Sequence, residues 1–110
     1  MSTSSRYQSC IDACNACAVA CNTCIAECLK EADVKMMAHC IALDVDCAAI
    51  CTVAGNAMAR NSEMSKEFCS LCQKACLACA HECEQHHHDH CKACAAACNT
   101  CAQACMAMLH

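Results

Sequence analysis

Nineteen of the 110 residues are cysteine, and their spacing is regular. Cys10, Cys14, Cys17, Cys21, Cys24 and Cys28 step by 4, 3, 4, 3, 4. Cys69, Cys72, Cys76, Cys79 and Cys83 step by 3, 4, 3, 4, and Cys91, Cys94, Cys98, Cys101 and Cys105 do the same. Such steps hold every member on one face of an α-helix. Bundles normally fill those inward positions with Leu, Ile or Val. Thiols there make the interior itself the candidate functional site.

Thiolates are soft ligands that select Cu(I), Zn(II) or Fe–S clusters. Zn(II) takes four ligands in a tetrahedron, so separate Zn(Cys)₄ sites would each bury two excess negative charges. Cu(I) accepts two or three thiolates, which a pair three or four residues apart begins to supply. If each thiolate bridges two ions and each ion takes two sulfurs, the ratio is one Cu(I) per cysteine. Each Cu⁺ then replaces one thiol proton and leaves the core charge unchanged, for roughly 15–20 ions per chain.

Other cysteine chemistries fit less well. A disulfide framework conflicts with the odd count, with the geometry of successive helical turns, and with a reducing compartment. Cys14-Asn15-Ala16-Cys17 has a cluster-like local spacing, but the ferredoxin run ending in Cys-Pro is absent because the chain has no proline. No Cys-x-x-Cys-His motif points to covalent haem. A thioredoxin-like site would use two thiols and leave seventeen unexplained.

The elements that must position these thiols are helices. Proline is absent, Gly55 is the one glycine, and alanine is abundant, a mixture that favours long helices. The spacing predicts helices over about Ser5–Lys30, Val34–Arg60, Glu63–Gln85 and Asp89–Met108. Asp33 is the candidate N-cap of the second, Gly55 is expected to loosen its last turns, and Asn61 suits a left-handed C′ position before Ser62 as the next N-cap. His86-His87-His88 forms the last turn. The first helix echoes in the fourth with a shift of 77 residues, down to Cys21-Asn22-Thr23-Cys24 and Cys98-Asn99-Thr100-Cys101. Four similar helices with short turns predict an all-α, antiparallel up-down-up-down bundle with a cysteine-lined core, one domain over 1–110.

The second helix is poor in thiols, with Cys40, Cys47 and Cys51. Asp44 borders that face, as a ligand, an acceptor behind the ligands, or a solvated side chain. Val34, Ile41, Val45 and Ala48 lie roughly opposite, as an ordinary mixed surface or an oligomer interface.

Antiparallel topology sorts the ends. One gathers Met36, Met37, His39, His81, His86, His87, His88 and His90. Imidazole and thioether both suit Cu(I), and at a helix N-terminus the dipole disfavours imidazolium. His39, His88 and His90 are the candidate ligands there, the alternative being a solvated polar turn. The other end gathers Tyr7, Met58, Met64, Phe68, Met106 and Met108 as an apolar plug, its methionines filling irregular gaps.

The net charge of −4 is spread along the chain, and no basic run or aromatic ladder points to nucleic acid. No apolar stretch approaches the ~20 residues that cross a bilayer. Met1 to Gln8 is polar, without an h-region or twin-Arg signal, which predicts a cytosolic location.

The Cys-x-x-Cys-x-x-x-Cys series on three helices, His-Asp-His-Cys at His88 to Cys91, and the absent leader together resemble the four-helix-bundle copper storage proteins, the cytosolic members most. The likeness covers nearly the whole chain. It implies Cu(I) bound by all nineteen cysteines, assembly into a homotetramer, and a storage role without catalysis. Such a store buffers and detoxifies copper and supplies it to cuproenzymes or exchanges it with a copper chaperone. The runner-up is a metallothionein-like zinc or mixed-metal thiolate buffer. A third reading is a redox protein cycling between thiols and disulfides.

Overall fold

The computed structural model describes residues 3–109. Its elements are helix α1 (Thr3–Cys28), a short 3-10 helix (Val34–Met37), and helices α2 (Ala38–Ala59), α3 (Ser65–Cys83) and α4 (Asp89–Ala107). Helix α1 packs on α2, α2 on α3, α3 on α4, and α4 back on α1. This closed ring of antiparallel neighbours is the predicted up-down-up-down bundle. It is a narrow rod of 50 × 20 × 18 Å.

The core is built almost wholly from cysteine. Cys10 is 2% exposed and the other eighteen are fully buried, alongside Ala54, Ala57, Met37 and Met58. Small thiols and alanines leave room for four helices to close around one axis without large apolar side chains.

Helix boundaries carry the local chemistry. Asn61 has φ 56°, the left-handed C′ conformation that asparagine tolerates. Ser62 N–H reaches back to the Ala57 carbonyl at 2.9 Å and Asn61 N–H to Met58 at 3.0 Å, which closes the end of α2. Ser62 Oγ accepts the Met64 N–H at 3.0 Å, so the predicted capping residue acts one turn before α3 begins.

Three expectations are corrected. Residues Val34–Met37 form a 3-10 turn ahead of α2, and Asp33 caps nothing with its side chain; its carboxylate instead receives His88 Nε2–H at 3.1 Å. Helix α2 runs unbroken through Gly55. A Cβ there would stand 3.3 Å from Asn15 Oδ1 and 3.6 Å from Cys14 Cβ, so the glycine serves close approach of α1 and α2 rather than loosening. Two segments are also long and apolar enough to cross a membrane by length and composition, Tyr7–Cys28 with mean hydropathy 1.3 and Val34–Ala59 with 1.6. Cysteine and alanine carry most of that apolarity in the first, Val, Ile, Leu and alanine most of it in the second, and the cysteines all face the core.

Gly55 gives a test of the α1–α2 contact. Asn15 is exposed and its amide can swing away, so Gly55→Ala is expected to gain about 0.5–1 kcal/mol from helix entropy. Gly55→Leu should cost ~1–3 kcal/mol by overpacking against Cys14. Urea unfolding of the reduced, metal-free variants reads both; equal stabilities would contradict the close approach.

Candidate metal centre

Antiparallel helices turn the cysteine spacing into rungs. Read backwards, a 4, 3, 4, 3 pattern is 3, 4, 3, 4, so each step up one helix is matched by an equal step down its neighbour. Between α1 and α4 the Sγ–Sγ distances are 3.7 Å for Cys10–Cys105, 3.6 Å for Cys14–Cys101, 3.6 Å for Cys17–Cys98, 3.7 Å for Cys21–Cys94 and 3.9 Å for Cys24–Cys91. Between α2 and α3 they are 3.6 Å for Cys40–Cys83, 3.7 Å for Cys47–Cys76 and 3.6 Å for Cys51–Cys72.

The two ladders merge into one column. Cys17 lies 3.8 Å from Cys47, and Cys101 lies 3.9 Å from Cys72. All nineteen cysteines are free thiols, far beyond the ~2.05 Å of a disulfide bond. With a metal–thiolate bond of about 2.3 Å, sulfurs 3.6–4.0 Å apart subtend about 105–120° at a shared ion. The column is therefore already spaced for three- or four-sulfur coordination.

The groups of four thiols overlap. Cys17 belongs both with Cys51, Cys76 and Cys101 and with Cys21, Cys47 and Cys98. Cys21 and Cys98 belong again with Cys79 and Cys94. Within each group the sulfurs lie within 4.8 Å of one another. Separate four-thiol sites cannot all fill at once; filling the column requires thiolates that bridge ions.

Asp44 completes the rung opposite Cys79. It occupies the position four residues after Cys40 and three before Cys47, where the stripe calls for a thiol. Its side chain is fully buried, so it is not solvated. Oδ1 accepts S–H groups from Cys79 at 3.0 Å and Cys94 at 3.3 Å, and Oδ2 faces Cys40 at 3.9 Å. Burial, reinforced by the neighbouring thiols, pushes the carboxyl up to about 10, so it is neutral at physiological pH. Burial also pushes the Cys28 thiol up to about 11 and raises Cys91. Without a metal cation, these groups hold their protons because the bundle offers no water to solvate a charge.

The histidine end divides into two pairs. His90 Nδ1 lies 3.6 Å from Cys24 Sγ, 3.8 Å from Cys28 and 3.6 Å from Cys91. Its Nε2–H donates to Glu31 at 2.8 Å, which leaves Nδ1 with a lone pair aimed at three sulfurs. His88 stacks on His90, with ring centroids 5.2 Å apart and planes 5° apart. Both its nitrogens face carboxylates, Nδ1 to Glu31 at 3.2 Å and Nε2 to Asp33 at 3.1 Å. His39 Nδ1 and His86 Nε2 share Glu82, at 2.9 Å and 2.8 Å. These two hydrogen bonds hold the Glu82 carboxyl below its ordinary range, His86 foremost.

Of the three histidines singled out in the sequence, the fold therefore brings His90 to the thiols. It holds His88 above His90 and His39 on the exposed rim. His86, half-buried beside Glu82, was not singled out. Its position three residues after Cys83 is the signal that could have found it. The opposite end is closed by Tyr7, Phe68, Met108 and Leu109 packed against the core, with Met64 and Met106 exposed.

A rod of four helices around a column of reduced thiols, with imidazoles at one end, is a bundle that can hold many soft metal ions at once. The chain belongs to the copper storage protein family, whose model matches residues 3–110. It is 48% identical over 85 residues, 77% of this chain and 79% of the relative, to an uncharacterized cysteine-rich protein, YhjQ, of Bacillus subtilis. Among solved structures it is similar to the Cu(I)-bound copper storage protein BsCsp3, with 47% identity, 94% of this chain and 98% of that one covered, and a TM-score of 0.91. It is also similar to a cytosolic copper storage protein from Streptomyces lividans carrying five coppers, with 35% identity, 97% and 94% covered, and a TM-score of 0.93.

The raised Asp44 carboxyl fixes a sign. Between the ordinary carboxylate range and about pH 10 the folded chain holds a proton that the unfolded chain has lost, so this residue's contribution to stability falls as pH rises. Relative to Asp44→Asn, the metal-free wild type should lose stability between pH 5 and 7 with a slope approaching about 1.4 kcal/mol per pH unit. Urea midpoints at several pH values measure this; parallel slopes would contradict it.

Proposed function

We propose that this chain is a cytosolic, non-catalytic Cu(I) store whose ligands are the nineteen core cysteines, joined at the mouth by His90. Residues 1–110 act as one copper-binding domain. The observation that carries this reading is the overlap of four-thiol groups in a column sealed from water. Bridged thiolates and a monovalent soft ion satisfy that overlap with one positive charge for each proton displaced. The family assignment and the Cu(I)-bound relatives point the same way. The expected capacity is close to one ion per thiol, about 15–20 per chain on that ligand arithmetic.

Copper enters at the histidine end and moves inward by exchange between neighbouring sulfurs 3.6–4.0 Å apart. His90 receives the ion, and Glu31 holds its tautomer. His88 and His39 stand outside it and pass ions inward. A reducing compartment keeps the thiols free for this traffic, and the cytosolic description of the Streptomyces lividans relative supports that location. The store buffers copper, withholds it from redox chemistry, and exchanges it with a copper chaperone or cuproenzyme.

Assembly into a homotetramer is supported by apolar side chains left outside the bundle. Val45, Val53 and Leu71 are 50%, 45% and 50% exposed along α2 and α3, more than a lone rod gains from leaving in water. Ala48, read from sequence as part of this outer face, is instead buried within the chain.

Anaerobic titration against a competing chelator tests the reading. Copper storage predicts uptake near one equivalent per thiol into a chain whose helical circular dichroism is already present without metal. Saturation near one metal per three or four thiols would indicate a zinc-type buffer, and reversible thiol loss without metal a redox role. Replacing His39, His88 and His90 together by Ala should slow loading while leaving capacity nearly intact, with His90→Ala alone reproducing most of the effect. Unchanged loading rates would refute entry at this end. Sedimentation of the same samples reads the assembly, a single-chain mass contradicting the tetramer.

A further inference from the structure

At the end far from the histidines, one rung lacks its thiol. Stepping along α2 from Cys40 through Asp44, Cys47 and Cys51 by 4, 3, 4 and then 3 brings Ala54 opposite Cys69. Alanine offers no donor atom. One turn further, Met58 brings a sulfur back to the vacant position, and the Cys69 S–H points at Met58 Sδ across 3.6 Å. That separation equals the shortest thiol–thiol rungs of the column. Both residues are fully buried. Cys10 and Cys105, 3.7 Å apart, form the last rung between α1 and α4, where the column meets its apolar plug.

The ordinary role of such a methionine is to fill an irregular gap. Two features go further. The thioether lone pair is already aimed at the hydrogen that a metal ion would displace. A thioether is also neutral. One thiolate with one thioether balances one Cu⁺, whereas a terminal ion between two unshared thiolates would leave a buried negative charge beside Tyr7, Phe68 and Leu109. The column needs a neutral ligand wherever bridging stops. His90 supplies an imidazole at the mouth, and Met58 is placed to supply its counterpart at the sealed end.

We propose that Met58 is a copper ligand, its thioether joining the Cys69 thiolate to hold the ion that terminates the column at the sealed end. The proposal rests on the chain being a Cu(I) store. On loading, the Cys69 S–H bond breaks and its proton passes to buffer, a Cu–Sγ bond forms, and Met58 Sδ donates a lone pair. Copper enters and remains as Cu(I), and no residue is oxidised.

The test uses the full chain labelled with [methyl-¹³C]methionine and titrated anaerobically with Cu(I), thiol occupancy being followed in the same samples. The Met58 methyl is assigned by through-space contacts to Cys69, so the readout does not require a variant to fold. Expected is a displacement of that resonance as large as free N-acetylmethionine shows on binding Cu(I), with the exposed Met36 and Met106 methyls unmoved. Met58→Leu, close to it in volume, should then hold about one copper equivalent fewer against a chelator at unchanged helical content. A Met58 methyl that keeps its metal-free position while the thiols fill overturns the proposal and leaves copper storage standing. Failure of the thiols themselves to take up copper overturns both.

Discussion

Everything in this structure depends on where a charge can go. A bundle whose nineteen thiols are at most 2% exposed has no water inside to solvate an anion. It raises the Cys28 and Cys91 thiols, pushes Asp44 into the neutral form, and favours a cation that enters as a proton leaves. A monovalent ion meets that condition one for one. A divalent ion held by four unshared thiolates does not. The choice of metal class is thus a consequence of burial rather than of sulfur softness alone.

The fold supplies that burial with little apparatus. Two antiparallel helices carrying the same alternation of three- and four-residue steps place thiols opposite one another, so rungs form without any special loop; where α2 departs from the pattern, Cys79 meets Asp44 and Cys69 meets Met58. Alanines and Gly55 let the helices close on a core of small side chains. The ends are where the regular pattern stops, and there the chain changes donor. His90 faces three sulfurs with Nδ1 because Glu31 takes the proton of Nε2, while at the sealed end a methionine sulfur stands where a rung has no thiol.

Much of this was legible in the sequence. The stripes on α1, α3 and α4 gave helices, topology and core together, because periodicity is set by backbone geometry alone. Asn61 announced its turn through the left-handed conformation that few residues tolerate. What could not be read was decided across the bundle. Asp44 resembles a surface acid until its register between Cys40 and Cys47 is taken as stronger than its charge. Asp33 looks like a cap, yet His88, 55 residues away, claims its carboxylate. His88 and His90 are near neighbours in sequence, yet one turns both nitrogens to carboxylates and the other turns Nδ1 to three thiols. The reading that no stretch is long and apolar enough for a membrane failed on Tyr7–Cys28 and Val34–Ala59, because small apolar residues spread around a bundle helix add up without forming an unbroken apolar run.

The central claim is that copper and protons exchange one for one in the buried column. Proton release in a pH-stat measures it directly, with Cu(I) added anaerobically in small steps to the reduced chain in weak buffer near neutral pH. Close to one proton per copper, constant until the thiols are filled, is the predicted result. Release near zero or two protons per ion, or a ratio that drifts as the column fills, would mean that the core carries net charge and would contradict the account.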